Sequence, residues 1–369
     1  MGAWWQDLYE CAVDRMRQAV ILGSSDTKRT IYLEKAAAQE GVSVTLVDWQ
    51  NWETYHDLPD AEELLVKIDP PRWTSCSLAK LNQLADGYMH ELEQLSRLAK
   101  CRAVTFLNEP SVIAGLLDKR ACKERLQQAG LPVTETIRLS DCSNDGKLTV
   151  EMLLEEMRRQ RVHQVFIKPV MGSGAAGVSA LRWNARTGQM ALYTCALLDA
   201  DAGLINTKCL RRFSKAKDIL PLLRQILALD CIIERWYPKA VHQGCSYDLR
   251  AVVQEGKVDF LLARLSKGGP ITNLHLNNHP LEITALGLSE QLLEDIAILC
   301  RDCVKAYPGL RSAGIDILLE KGHMRPRIIE MNAQGDLIYQ DIYHENVIYS
   351  HQARMIKNWL QMEALKEAL

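Results

Sequence analysis

The sequence predicts a mixed α/β and α+β protein, with an open α/β domain at its N-terminus and a larger region of antiparallel hairpins and helices behind it. Three observations carry this expectation. An apolar run at 19–23 passes through the polar turn SSDTKR into a helical pattern at 30–39 and then the strand-like VSVTLVDW, the opening of a βαβ unit. A loop of Gly and Ala separates strand-like segments at 165–168 and 178–183. Near the C-terminus, strand-like residues 312–319 and 327–332 flank a turn that contains Lys321-Gly322.

The 369 residues, 47% of them hydrophobic, are enough to bury a full core and to form two or three domains or subdomains. With 44 Lys and Arg against 46 Asp and Glu, the formal charge is −2, so no global field draws the chain to nucleic acid or to an anionic membrane. Any basic site has to be local. The start, MGAWWQDLYE, carries acidic residues and no basic segment leading into an apolar run, and no stretch reaches about 18 uncharged apolar residues. The expectation is a soluble, cytoplasmic protein. The 11 Cys follow no secreted framework and suit a reducing compartment. Cys300 and Cys303 share one face of a helical pattern at 289–307, and without a second pair or a nearby His they read as core thiols.

Along the chain, the first loop, Gly23-Ser24-Ser25-Asp26, lacks a dinucleotide fingerprint, so the opening domain reads as an open α/β layer and not as an NAD site. Asp69-Pro70-Pro71 interrupts the chain before a long helix at 77–100 and a strand at 103–107. After Asn108-Glu109-Pro110, Ser111 is the expected cap of a helix leading to Asp118-Lys119, and a second helix at 119–128 ends at Gly130. The domain boundary is placed near residue 110, giving an N-terminal domain at 1–110 and a second unit at 111–369.

The glycine loop narrows the chemistry. Gly172, Gly174 and Gly177 spell G-x-G-x-x-G, but the Rossmann version opens a helix, whereas residues 178–181 alternate like a strand. A Walker A loop is excluded too, because its lysine ends the run and Lys168 precedes this one. Small residues here let backbone N–H groups approach phosphate oxygens, with Lys168 neutralising an α- or β-phosphate. Taken alone, the segment fits a plain glycine-rich hairpin with a solvated lysine equally well.

If the C-terminal hairpin is centred near His323, Asp316 faces Glu330, and Asn332 shares the face of Glu330 through the two-residue strand period. Facing carboxylates in apolar strands repel unless a cation sits between them, and Asp, Glu and Asn are oxygen ligands suited to magnesium. The competing reading is an edge hairpin with its charges in water.

In order, Asp118-Lys119, Lys168 with its glycine hairpin, Ile232-Ile233-Glu234-Arg235-Trp236, Asp248-Leu249-Arg250, Asp316 and Glu330-Met331-Asn332 resemble the ATP-grasp series, over residues 108–341. The resemblance is nearest to glutamate-adding ligases, D-alanine-D-alanine ligases and uncharacterised bacterial ATP-grasp proteins. It implies a pre-ATP-grasp-like α/β domain followed by two α+β lobes, about 111–235 and 236–369, that clasp ATP. By position it places Lys119 and Lys168 at the phosphates or the adenine edge, Gly172, Ser173, Gly174 and Gly177 over the phosphates, and Glu234, Arg235, Trp236 and Tyr237 at the adenine hinge. Asp316, Glu330 and Asn332 are implied ligands of two Mg2+ ions, with Mn2+ as a substitute. Read without the family, the strand at 231–235 is ordinary core.

Arg250 and Arg264 lie in successive strand-like segments, where their cations either face a transferring phosphoryl group together with Lys168 or pair with a carboxylate such as Asp248. For Arg264 the salt bridge is the preferred reading. The segment 266–279 resembles the family's substrate-side loop and supplies Lys267, Asn273 and His275 as substrate contacts. It departs from the family by adding His275 and His279, whose spacing suggests a metal pair only on a helix, which Asn278 and Pro280 disfavour. The implied chemistry is ligation of a small-molecule or peptide carboxylate to an amine through an acyl phosphate, in a protein that is a homodimer in many resembled families. The alternatives are a phosphotransferase that leaves phosphate on its product and a nucleotide-binding protein without turnover.

Overall fold

The computed structural model describes residues 17–54, 57–98, 103–138, 148–172, 174–276, 278–334 and 345–362, apart from the side chains of Lys208 and His275. It begins with a parallel sheet. Strands β1 (Arg17–Gly23), β2 (Thr45–Asp48), β3 (Glu63–Ile68) and β4 (Val104–Phe106) lie in the order β2-β1-β3-β4, with helix α1 (Lys28–Gln39) after β1 and α2 (Leu78–Leu98) before β4. The strands alternate between two buried faces. Val20, Leu22, Leu64 and Val66 join the α2 side, while Ala19, Ile21 and Leu65 meet α1. Burial on both faces is what an apolar parallel sheet requires. Thr27 caps α1 by accepting the Thr30 amide.

Helix α3 (Pro110–Leu117) starts two residues earlier than the sequence reading placed it, with Glu109 at the cap position and Pro110 as its first residue. Proline's fixed φ suits that first position, where its missing N–H costs nothing, so Ser111 is not needed as a cap. Asp118 then caps α4 (Lys119–Gln128), accepting the Arg120 and Ala121 amides at 2.8 and 2.9 Å.

After α5 (Val150–Arg159) come β5 (Gln164–Pro169), β6 (Ser179–Trp183), β7 (Met190–Asp199), β8 (Gly203–Phe213), α6 (Ala216–Leu227) and β9 (Cys231–Arg235). Their antiparallel sheet has the order β8-β7-β6-β5-β9 and packs its apolar face on α5 and α6. A third sheet follows from β10 (Val241–His242), β11 (Cys245–Gln254), β12 (Lys257–Ser266), β13 (His279–Glu282), β14 (Ser312–Leu319) and β15 (Pro326–Asn332), with α7 (Glu290–Lys305) between β13 and β14. Its main path is β13-β12-β11-β14-β15, with β10 beside β11.

In the third sheet the two-residue period separates core from chemistry. Leu249, Ala251, Ile315 and Ile317 turn toward α7, where Cys300 and Cys303 are buried core residues as the sequence suggested. Burial pushes the Cys300 thiol up to about 12, so it stays neutral at ordinary pH. Asp248, Arg250 and Asp316 take the other face. A bulge between Asp316 and Ile317 sets Asp316 against Glu330 and Ile317 against Ile328, leaving Ile329 as the extra residue.

The last helix, α8 (Val347–Gln361), returns to the first sheet, where Ile348 and Tyr349 pack with Ile21 and Leu33. Asn108, at the end of β4, joins the first sheet to the third. Its Nδ2 donates to the Ser312 and Ala333 carbonyls, both at 2.8 Å, and its Oδ1 accepts the Arg311 and Ser312 amides at 2.8 and 2.9 Å. Every hydrogen-bonding capacity of that amide is thereby used. Among the described residues, no helix is long and apolar enough to cross a membrane.

Candidate active site

The second and third sheets, with α1, α2 and the segment at 70–75, line one cavity of about 530 Å³. It brings together Lys119, Lys168, Gly172, Gly174, Glu234, Arg235, Tyr237, Arg250, Arg264, Asn273, Asp316, Glu330 and Asn332, which the sequence had selected from separate segments.

The third sheet contributes alternating charges. Strand register places Arg250 opposite Asp316, and Asp248 opposite Arg264. Arg250 Nη1 donates to Asp316 Oδ1, while Arg264 bridges two carboxylates, with Nε 2.8 Å from Asp248 Oδ1 and Nη2 3.0 Å from Asp316 Oδ2. The salt bridge expected between Arg264 and Asp248 is therefore present, whereas Arg250 pairs across the other neighbouring strand. Lys239 completes the set at 2.9 Å from Asp248 Oδ2. Burial opposes the charge on Asp248, but Arg264 and Lys239 prevail and hold its carboxyl far below the usual range. Its second role is mechanical: the Thr272 hydroxyl donates to Asp248 Oδ2, tying the 268–278 loop to the sheet.

At the other side, Glu234 on β9 is 2% exposed and contacts two ammonium groups. Lys123 Nζ lies 2.8 Å from Oε1 and Lys168 Nζ 2.9 Å from Oε2, and Thr134 Oγ1 donates to Oε2 at 2.7 Å. Burial alone would raise the Glu234 pKa, yet the two lysines bring it down to about 2. Burial also draws Lys123 down to about 8 despite that partner. Sequence reasoning missed Lys123. Its signal was its place four residues after Lys119, beside Cys122 and Leu126 on the buried face of α4, where an unpaired lysine would be costly. Lys239, Thr134 and Asn108 were missed for want of any local pattern.

The glycine loop joins β5 to β6, whose register brings Ile167 opposite Ser179. Lys119 secures it from α4, with its amide donating to Val170 O at 3.2 Å and its Nζ to Gly172 O at 2.6 Å. Gly172 and Gly174 reach the cavity, but Gly177 does not. At Gly177 φ is +69°, and a Cβ would stand 2.8 Å from Pro169 Cγ, so this glycine is required by the backbone and by packing. Ser173 lies outside the described residues.

The hinge residues divide. Arg235 and Tyr237 line the cavity, while Trp236 packs on Phe166 at 5.4 Å and under the Arg182 guanidinium at 4.5 Å. The Trp236 N–H donates to Gln164 O at 3.3 Å, and its carbonyl accepts from Gln164 Nε2 at 3.0 Å. Its main-chain N–H is thus spent on β5, and its carbonyl accepts one bond from the Gln164 side chain. Lys267 is exposed and outside the cavity, which Asn273 reaches. The His275 side chain lies outside the described residues; its backbone forms a short 3-10 turn, and His279 is exposed in β13. That geometry gives the two histidines no shared helical face.

Glu330 and Asn332 present donors that fit a hard cation, whereas both oxygens of Asp316 are engaged by Arg250 and Arg264. Asp316 and Glu330 are cross-strand partners and Asn332 follows on the same side of β15. Among the described residues, the Glu330 carboxylate and the Asn332 amide have no hydrogen-bonding or ion-pairing partner, so their oxygens face the cavity uncommitted. Among the same residues no three His, Cys, Asp or Glu side chains form a cluster, so the Asn332 amide oxygen is needed for a third protein ligand. Carboxylate and amide oxygens without nitrogen or sulfur are the donors Mg2+ takes.

No family model matches the sequence, and no curated protein matches it either. Solved structures do. D-cycloserine synthetase DcsG aligns with a TM-score of 0.58 at 13% identity, over 92% of this chain and 99% of that one. The ATP-grasp ligase PsnB, complexed with minimal precursor, Mg and ADP, aligns with a TM-score of 0.56 at 16% identity, over 93% and 98%. D-alanine-D-alanine ligase from Bacillus anthracis, complexed with ATP, aligns with a TM-score of 0.53 at 14% identity, over 95% and 99%. Nearly full coverage of both partners at such low identity establishes a shared fold.

Proposed function

Starting from the ATP-grasp fold, we propose that this chain is an ATP- and Mg2+-dependent ligase that activates a carboxylate as an acyl phosphate for attack by an amine, releasing ADP and phosphate. One observation carries the reading: the uncommitted oxygens of Glu330 and Asn332 adjoin the Asp316–Arg250–Arg264 array in the same cavity as Lys168 and the glycine loop. Oxygen donors beside fixed cations, facing a lysine and a small-residue loop, suit a triphosphate and its metal better than they suit a neutral ligand.

In this reading residues 1–110 form the N-terminal domain and 111–369 the nucleotide clasp. Lys119, Lys168, Gly172 and Gly174 face the phosphates, while Glu234, Arg235 and Tyr237 border the base. Mg2+ held by Asp316, Glu330 and Asn332 would neutralise phosphate charge and polarise the γ-phosphoryl group. An oxygen of the substrate carboxylate attacks the γ-phosphorus, the bond to the β,γ-bridging oxygen breaks, and ADP departs. Arg250 and Arg264 stabilise the charge spread over the transferring group. The amine nitrogen then attacks the acyl carbon, the bond from carbon to phosphate oxygen breaks, and the nitrogen loses a proton as phosphate leaves. The chain's main contribution is to hold reactants in line and exclude water. Since a PsnB structure is complexed with a precursor peptide, a peptide substrate falls within the same reading as a small carboxylate.

The test is ADP and phosphate release with Mg-ATP over a panel of amino acids, peptides and small carboxylic acids, comparing wild type with Glu330→Gln. Substrate-stimulated release of both products, lost in the variant, supports the ligase. ADP formed with phosphate retained on the product replaces it with a phosphotransferase. Tight Mg-ATP binding with no turnover across the panel removes the catalytic reading.

A further inference from the structure

The cavity extends beyond the proposed nucleotide end to α1, α2 and the loop before α2, where Arg29, Pro71, Trp73, Leu81, Ala85 and Tyr88 line it. Among the described residues seven cationic side chains line the cavity, and six are engaged. Lys119 donates to Gly172 O; Lys168 pairs with Glu234; Arg235 with Glu135; Lys239 with Asp248; and Arg250 and Arg264 with Asp316. The seventh is Arg29. Its Nε is buried without a hydrogen-bond partner, and among the described residues its guanidinium has no ion pair. Of the carboxylates nearby, Asp26 pairs with Arg72, and Asp69 gives Oδ1 to Lys67 while its buried Oδ2 has no hydrogen-bond partner; neither forms an ion pair with Arg29. Arg29 is half-buried at the cavity wall, and the planar fork of a guanidinium matches a carboxylate in two parallel hydrogen bonds.

The walls around Arg29 are apolar and braced. Trp73 meets Tyr88 edge to face, with ring centroids 6.1 Å apart. The Tyr88 hydroxyl donates to Gln334 Oε1 at 2.9 Å, and Gln334 Nε2 reaches Ile68 O at 2.7 Å. Gln334 stands two residues beyond Asn332, so this wall is fixed to the proposed metal-binding strand. Leu81 and Ala85 from α2 continue it.

We propose that Arg29 anchors a non-reacting carboxylate of the amine substrate, and that the Trp73–Tyr88–Leu81 wall selects an amino acid or peptide C-terminus with a bulky apolar side chain. The identity of the amine partner rests on the ligase reading; the carboxylate subsite itself does not. A carboxylate clamped by Arg29 is a poor nucleophile, and the phosphoryl end has its own cations in Arg250 and Arg264. The group held here is therefore the carboxylate that survives into the product.

The experiment measures equilibrium binding of L-phenylalanine, D-phenylalanine and Gly-Phe to the full chain, against glycine and phenylalaninamide. It is repeated on Arg29→Gln, Arg29→Lys and Trp73→Ala, with Mg-ATP binding measured on each. At least one aromatic acid is expected to bind, with glycine and the amide weaker by about tenfold or more, matching the loss of a charge-assisted pair or of an aromatic contact. Arg29→Gln should weaken the aromatic acid by about tenfold or more, with partial recovery in Arg29→Lys and Mg-ATP binding held within about twofold. Trp73→Ala should weaken the aromatic acid and leave glycine unchanged. Absence of binding by every aromatic acid overturns the proposal, as does equal affinity for acid and amide, or an unchanged affinity in Arg29→Gln. Loss of Mg-ATP binding or turnover in the wild type, with the acid still bound, sinks the ligase reading alone.

Discussion

The guanidinium of Arg250 lies across the bare Cα of Gly314: a Cβ built there would stand 3.0 Å from Arg250 Cζ and 3.1 Å from its Nε and Nη2. Gly314 belongs to β14, two residues before Asp316 on the same strand face, and β14 pairs with β11. The missing side chain therefore makes the space in which Arg250 reaches Asp316. Glycine is acting here through volume, since its backbone is ordinary strand.

Gly314→Ala should accordingly impair chemistry more than folding. The added methyl displaces the guanidinium by a few tenths of an ångström from the proposed phosphoryl site, and overpacking of this size costs about 1–3 kcal/mol of stability. The expected result is a tenfold or larger fall in kcat, roughly the loss of one aligned cation, with Mg-ATP affinity little changed. Steady-state kinetics beside urea unfolding checks it. A variant with wild-type kcat would show that Arg250 need not occupy this position.

Much of this arrangement was legible in the sequence, and the reason is periodicity. Asp316 and Glu330 stood out because each is charged in an otherwise apolar strand, although it is the bulge beside Asp316, which the sequence did not show, that sets the two opposite each other. The Arg250–Gly314 contact could not be read, because it joins residues whose strands pair only in the folded sheet. Lys123 hid in a helix whose charged residues resemble a solvated face, and Arg29 looked like any exposed residue near a helix start. The contacts of Trp236 with Gln164 and of Gly177 with Pro169 were hidden for a related reason: position in a motif says where the backbone runs and not what each residue packs against.

Glu330→Gln and Asn332→Ala should separate metal binding from folding. Among the described residues both side chains lack partners, so removing them strands no charge there, and the stability change should stay within about 1 kcal/mol. The Mg2+ concentration needed for half-maximal nucleotide binding is expected to rise by about 10–100-fold. Titrating Mg2+ at fixed ATP measures this. An unchanged Mg2+ requirement in both variants would place the metal elsewhere.

Gly177→Ala is expected to behave in the opposite way. The residue has φ of +69°, which costs an L-residue about 1–2 kcal/mol, and its new methyl would meet Pro169 at 2.8 Å. Unfolding free energy should fall by roughly 2–4 kcal/mol, with the Kd for Mg-ATP preserved in the folded fraction. Weaker nucleotide binding at unchanged stability would restore this glycine to the phosphate cover.

The Glu234 cluster makes stability depend on pH in a defined window. Its folded pKa of about 2 lies below the ordinary value of 4.5, so the unfolded chain binds more protons between these values and stability falls as pH falls through them. Glu234 contributes on the order of 3 kcal/mol above pH 4.5, and the contribution disappears progressively toward pH 2. Lys123 acts at the other end. Its folded pKa of about 8 lies below 10.5, so stability rises with pH across that interval as the ammonium loses its proton. In Glu234→Gln the protein should be less stable by about 3–5 kcal/mol at pH 7, because Lys123 and Lys168 lose their carboxylate, and its acid limb should be shallower than the wild type's. Urea midpoints between pH 2.5 and 10 test both limbs. Parallel acid limbs for the two proteins would show that Glu234 does not carry this proton linkage.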